Sequence, residues 1–313
     1  MPNSTTVTFS DPYEYQASHR DGMQKVVVTA RGEYRARVTW VELHRLQMRR
    51  GWQSLPTVNQ TTLREDQSPI IFGTKARHPP VMFDGVEVQP GEMVVRRLGG
   101  QFHGRIPAQL HWGTLSLSTD NLAAFSRALV ARDLKPPPET RIIRPEPAAM
   151  SRLLSLHDAV DGLAAATPDV LSHPEVAKAI EQELAQALIA CLTGTASTER
   201  RQPIRAKVMQ RFEQMIEAHR EEPLYLTDVC TALGVSDRTL RLYCRELLGM
   251  GPQRYLWLRR MHQAKRALTL ADPAETTVTM IANDHGFAEL GRFAVAYREL
   301  FGERPSMTLR RAA

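Results

Sequence analysis

The chain has 313 residues, 42% of them hydrophobic and 24% charged, with a formal net charge of +6. That balance is that of a globular protein, without a low-complexity tract, long enough for two domains, each with its own core. The longest apolar runs, such as ALIACL at 187–192, are too short to span a bilayer.

The excess charge is not spread evenly. Residues 200–313 hold 19 Lys and Arg against 13 Asp and Glu, whereas residues 1–199 hold 21 of each. All of the surplus therefore sits in the last third, which favours a polyanion-binding module there. Cys191, Cys230 and Cys244 are an odd number without metal-type spacing, as in a cytoplasmic protein with reduced thiols. Residues 1–21 are polar, lack the apolar run of a secretion signal, and read as an N-terminal arm.

Residues 22–120 read as β-rich. QKVVVTARGEYRARVTW suggests two strands with Gly32 near a turn, and TLSLS at 114–118 alternates strictly. Between them, Gly85, Pro90-Gly91 and Gly99-Gly100 punctuate VMFDGVEVQPGEMVVRRLGGQFHG into short strands. A small barrel or sandwich is expected. Residues 121–194 change to helical patterning, broken by PPPE at 136–139. One helix, 147–166, offers Met150, Leu153, Leu156, Val160 and Leu163. The next carries a stripe of Val176, Ile180, Leu184, Leu188 and Cys191, with a capping box of Ser172 and Glu175 and an end at Gly194. The two make an antiparallel hairpin, which either covers the β domain or also packs on a second subunit. The polar TASTERRQP, 195–203, reads as a linker.

Residues 204–313 read as helix and repeat themselves. LTDVCTALGVSDRTLRLYCRELLGMGP, Leu226 to Pro252, is matched by VTMIANDHGFAELGRFAVAYRELFGERP, Val278 to Pro305. Val229 pairs with Ile281, Cys230 with Ala282 and Gly234 with Gly286; one inserted residue later, Leu240 pairs with Phe293, Cys244 with Tyr297, Gly249 with Gly302 and Pro252 with Pro305. A short helix, a glycine turn and a longer helix are the requirements of a helix-turn-helix, whose second helix is the candidate for the major groove. A helix from Pro252 to Leu270, with Trp257, Met261, Ala264 and Leu268 on one face, joins the copies. Two reading helices about 34 Å apart would meet successive major grooves.

On LTDVCTALGVSDRTL, RYLWLRRMHQAKRAL and IANDHGFAELGRFAVAYRELFGERPSMTL, residues ~205–313 resemble the DNA-binding domain of the AraC/XylS family of bacterial transcription regulators. LGRFAVAYRELFGERPS is closest to the ethanolamine-utilisation type, and QPGEMVVRR…FH is more loosely similar to the family's cupin-like effector domain. The resemblance implies a mixed α and β fold: a β-rich cupin-like barrel with a helical hairpin, then an all-α domain with two helix-turn-helix motifs. It implies a one-component switch, often dimeric, that binds a small-molecule effector and promoter DNA and commonly activates transcription by contacting RNA polymerase. No cofactor is implied.

Matching positions to the family puts Arg238, Arg241 and Leu242 toward base edges, with Ser236, Asp237, Thr239 and Arg245 close by. Arginine can contact guanine bidentately, which contributes ~1–3 kcal/mol of discrimination. The second reading helix presents Glu289, Leu290, Gly291, Arg292, Ala294, Val295 and Arg298, and Gly291 replaces the serine more usual in the family. It is expected to position the protein more than to read bases. Ser236 and Thr227 are expected N-caps, and Arg259, Arg260, Lys265 and Arg266 are expected in solvent. In the β domain, Trp40, His44, Trp52, Phe102, His103 and Trp112 are candidates to line an effector pocket, or simply core. The competing class is a cupin-like metal enzyme with a DNA-binding appendage, but His44, His103 and His111 are scattered and form no His-x-His cluster.

Overall fold

The computed structural model describes residues 2–19, 22–75, 77–194, 196–198, 204–219 and 225–311. The β domain begins with β1 (Asn3–Phe9), α1 (Pro12–Ala17), β2 (Gly22–Val28) and β3 (Ala36–Glu42). It continues with β4 (Leu46–Gln53), β5 (Thr57–Leu63), β6 (Ser68–Gly73), β7 (Val81–Phe83), β8 (Val86–Val88), β9 (Met93–Val95), β10 (Gln101–Ile106) and β11 (Leu110–Leu117). Then come α2 (Thr119–Val130), β12 (Arg141–Arg144), α3 (Pro147–Ala166), α4 (Pro174–Thr193) and β13 (Ala196–Thr198). The helical domain holds α5 (Ile204–Ala218), α6 (Leu226–Leu233), α7 (Asp237–Leu248), α8 (Pro252–Leu270), α9 (Val278–Asp284), α10 (Leu290–Phe301) and α11 (Pro305–Arg311).

The expected barrel is not closed. Its strands form two sheets, ordered β1-β3-β4-β11-β6-β9-β12-β13 and β2-β5-β10-β7-β8. Every pair is antiparallel. β2 and β3, read as neighbours, part at Gly32 (φ 130°) and enter different sheets, so the chain folds over itself instead of curling round. Within the expected arm at 1–21, residues 3–17 form β1 and α1 and pack on the β domain. β1 pairs with β3 from Asn3–Glu42 to Phe9–Ala36, and α1 packs on β2 after a cap in which Asp11 accepts from the Tyr13 amide at 2.6 Å. The expected linker 195–203 lies outside the described residues except for β13, whose backbone pairs with β12.

The hairpin forms as α3 packed on α4. Together with α2 it covers one face of the larger sheet. Met48, Ile70, Phe72, Met93, Leu115 and Leu117 share a core there with Leu153, Leu184, Leu188 and Cys191. The Ser172–Glu175 capping box does not form: the Ser172 hydroxyl donates to the Asp169 carbonyl, 2.6 Å away, closing a 3-10 turn, and His173 takes the cap position. Among the described residues no helix is long and apolar enough to cross a membrane.

The helical domain docks directly against the smaller sheet. Val27 and Val58, from β2 and β5, are buried in one core with Phe212, Leu240, Leu247, Tyr255 and Leu258. The layers therefore run helices, large sheet, small sheet, helices.

Candidate nucleic-acid interface and ligand cavity

The repeat predicted from sequence is realised in backbone geometry. Gly234 and Gly286 turn between the paired helices at φ 66° and 73°, and Gly249 and Gly302 end α7 and α10 at φ 75° and 78°. These left-handed values are ones that glycine adopts without a Cβ penalty. Pro252 and Pro305 both open the following helix, α8 and α11, and both are buried. The matched core positions are matched in burial: Leu240 and Phe293, Cys244 and Tyr297, Val229 and Ile281 all lie inside.

Each reading helix keeps its other face in solvent. On α7, Ser236, Asp237, Arg238, Leu242 and Arg245 are exposed, with Thr239 and Arg241 half-exposed. Ser236 caps it, its hydroxyl accepting from the Thr239 amide at 3.1 Å. Arg241 donates to Asp237 at 2.7 Å, whereas Arg238 and Arg245 make no ion pair among the described residues. On α10, Leu290, Gly291, Arg292, Ala294, Val295 and Arg298 are exposed, and Glu289 just before it holds Arg292 at 2.9 Å. The α10 N-terminus has no side-chain cap. Thr227, expected as a cap, lies inside α6; Tyr225 precedes that helix. On α8, Arg259 is not solvated as expected but buried, joined to Glu213 of α5.

The six effector-pocket candidates separate. Between the two sheets lies a cavity of about 100 Å³. Phe102 and Trp112 line it. Trp40 is core beside Phe9 and Val38, and His44 sits at the surface against the Pro174 carbonyl, 3.3 Å away. Trp52 opens onto an outer groove with Gln109, to which its indole N–H donates at 3.1 Å. His103 faces the helical domain, with Nε2 3.6 Å from Glu213 Oε1. Sequence reasoning missed Asn59, Thr61, Phe83, Val94 and Thr114, which also line the cavity. The signal available was the row of Asn and Thr in TVNQTTL at 57–63, polar side chains in a strand almost wholly buried. Asn59 Oδ1, Thr61 Oγ1 and Thr114 Oγ1 are buried without a hydrogen-bond partner among the described residues. His19 is also part of the wall; burial first, and the Arg49 charge second, push its imidazole down to about 3, so it is neutral at pH 7.

A β sandwich with an internal cavity is thus docked on two copies of one helix-turn-helix fold. Residues 229–311 match the family model described as a helix-turn-helix domain. The chain is 34% identical to a probable AraC family transcriptional regulator from Rhodopseudomonas palustris, over 34% of this chain and 97% of that one, with a TM-score of 0.31. It is 43% identical over 95 residues to the probable thc operon regulatory protein of Rhodococcus erythropolis, covering 30% of this chain and 29% of that protein. It is 34% identical over 101 residues to the XylDLEGF operon transcriptional activator of Pseudomonas putida, covering 32% of each. The matches thus span about a third of the length of these two regulators. Residues 229–311 therefore carry a helix-turn-helix domain, and the two operon regulators are matched over about that same third of the chain.

Proposed function

We propose that this protein is a sequence-specific DNA-binding transcription regulator that senses a small molecule in its β domain. The observation that carries the reading is the pairing of two helix-turn-helix units with equivalent buried scaffolds and outward faces that remain free in the folded chain. In this reading Arg238, which has no ion pair among the described residues, contacts a guanine edge, Arg241 does so on release from Asp237, and Leu242 or Val295 touches thymine methyls. Glu289 and Arg292 already satisfy one another, which suits α10 to positioning on the backbone more than to base reading. Promoter DNA, a second copy of the chain packed through the α3–α4 hairpin, and RNA polymerase are the partners this reading includes.

The effector belongs in the cavity between the sheets. An apolar cavity of ~150 Å³ accommodates benzene, so about 100 Å³ sets the ligand below one ring, at a short chain of a few heavy atoms. Its walls are mostly apolar, from Ile71, Val81, Phe83, Val94 and Phe102. The three unpartnered oxygens call for a ligand that also carries a hydrogen-bonding group.

The test is selection of bound fragments from a random duplex library by the full chain, at ~150 mM salt to suppress nonspecific phosphate binding. The expected product is a motif of two elements ~10 base pairs apart, with its strongest guanines under α7. Recovery of unenriched DNA, with and without small-molecule extracts, would oppose the reading.

A further inference from the structure

The small sheet is buried on both faces, and its strands alternate between two different neighbours. On β10, Phe102, Gly104 and Ile106 line the cavity, while His103 and Arg105 point into the helical domain. On β5, Asn59, Thr61 and Leu63 line the cavity, while Val58 and Gln60 face the helices. On β2, Gln24 faces the cavity, while Lys25 is paired with Glu217 of α5. One sheet, a single backbone thick, is thus the wall of the chamber and the docking surface of the helical domain.

A chain of specific contacts crosses that wall. The Phe102 ring lies under the Arg96 guanidinium, 3.6 Å from ring centroid to Cζ. Arg96 is itself buried and stands 3.7 Å from the Asp84 carboxylate. Asp84 accepts from the His103 amide at 2.8 Å, and its own amide donates to the His103 carbonyl at 2.8 Å. His103 then meets Glu213, which is paired with Arg259 of α8. Burial alone would raise the Glu213 carboxyl. Arg259 chiefly, then His103 and Tyr255, instead hold it down to about 2, so it is ionised in the docked state. The next outward residue, Arg105, lies against Gly249, where a Cβ would come within 2.9 Å of its guanidinium; Gly249 ends the first reading helix.

We infer that β10 is the transmission element between the cavity and the reading helices, and that His103 and Glu213 are the positioning residues which convert a displacement of Phe102 into a shift of α5 and α8. The inference rests on the cavity being the effector chamber. Its physical basis is that a buried ion pair tolerates little misplacement: once its geometry is lost, each charge is left in a low-dielectric interior. A ligand pressing on Phe102 acts on that geometry through three side chains, one backbone–backbone hydrogen bond and one from a backbone amide to a carboxylate.

Hydrogen exchange on the full chain, without DNA or effector, tests this independently of DNA reading. Phe102→Leu, on the cavity side of β10, is expected to raise exchange of the α8 amides around Tyr255–His262 by about five- to tenfold. In a Glu213→Gln background, where the junction is already broken, the same substitution is expected to add no further increase. Thr114→Val, on the opposite wall in the large sheet, is expected to leave α8 exchange unchanged. His103→Asn replaces Glu213→Gln if the latter does not fold. Unchanged α8 exchange in Phe102→Leu, an equal effect from Thr114→Val, or strictly additive effects in the double variant would each overturn the proposal. None of these outcomes bears on whether α7 reads DNA, so the two claims fail separately.

Discussion

The two helix-turn-helix units share a scaffold and differ on their surfaces. In both, a positive-φ glycine makes the turn, a second ends the reading helix, and a proline opens the next helix. Yet α7 starts from a satisfied Ser236 cap, ties Arg241 to Asp237 and exposes Arg238 and Arg245 without ion-pair partners among the described residues. By contrast, α10 starts uncapped, carries Gly291 in its first turn and ties Arg292 to Glu289. Buried positions are held alike because packing decides them, and exposed ones diverge because nothing in the fold constrains them. The proposed division of labour between reading and positioning therefore rests on that divergence.

The sharpest way to break that comparison is to truncate the arginines. Arg238→Ala is expected to cost ~1–3 kcal/mol of DNA affinity and to relax preference at one base pair of the selected motif. Arg292→Ala is expected to weaken all sequences equally and to lower the salt slope by about one, leaving the motif intact. Fluorescence anisotropy against matched and mismatched duplexes over a salt series distinguishes the two. A motif that loses a position in the Arg292 variant would make α10 a reader as well.

Smaller effects separate the helix starts. Ser236→Ala removes the α7 cap and should destabilise the protein by about 1 kcal/mol in urea unfolding. The mirror change, Gly291→Ala in α10, meets open space at the new Cβ and should stabilise by ~0.5–1 kcal/mol through helix propensity alone. A loss of stability in Gly291→Ala would mean that this helix start is constrained by something beyond its own backbone.

The helical domain was legible in the sequence to the residue in places: α8 runs from Pro252 to Leu270, and both turn glycines fall where the repeat puts them. Local signals suffice there, because each unit is set by capping, a glycine turn and a 3.6-residue stripe. The β domain was legible only as a class. Strand alternation separates two faces but does not say which neighbour each face meets, and in a sheet buried on both sides neither face is polar enough to tell. Phe102 and His103 show this directly. Both are aromatic, buried and adjacent, and only the fold reveals that one lines the cavity while the other holds the helical domain. Arg259 misled for a related reason. Its partner Glu213 lies 46 residues away, and no local pattern announces a buried ion pair. The arm at 1–21 became β1 and α1 because its strand pairs with β3, a long-range contact that its polar composition conceals.

Hydroxyl-radical footprinting of the full chain on the duplex recovered by selection tests the central claim most directly. Two protected patches on one face of the DNA, ~10 base pairs apart, with the α7 patch centred on the strongest guanines, are the predicted result. A single patch, or protection spread without helical periodicity, would contradict two reading helices acting together.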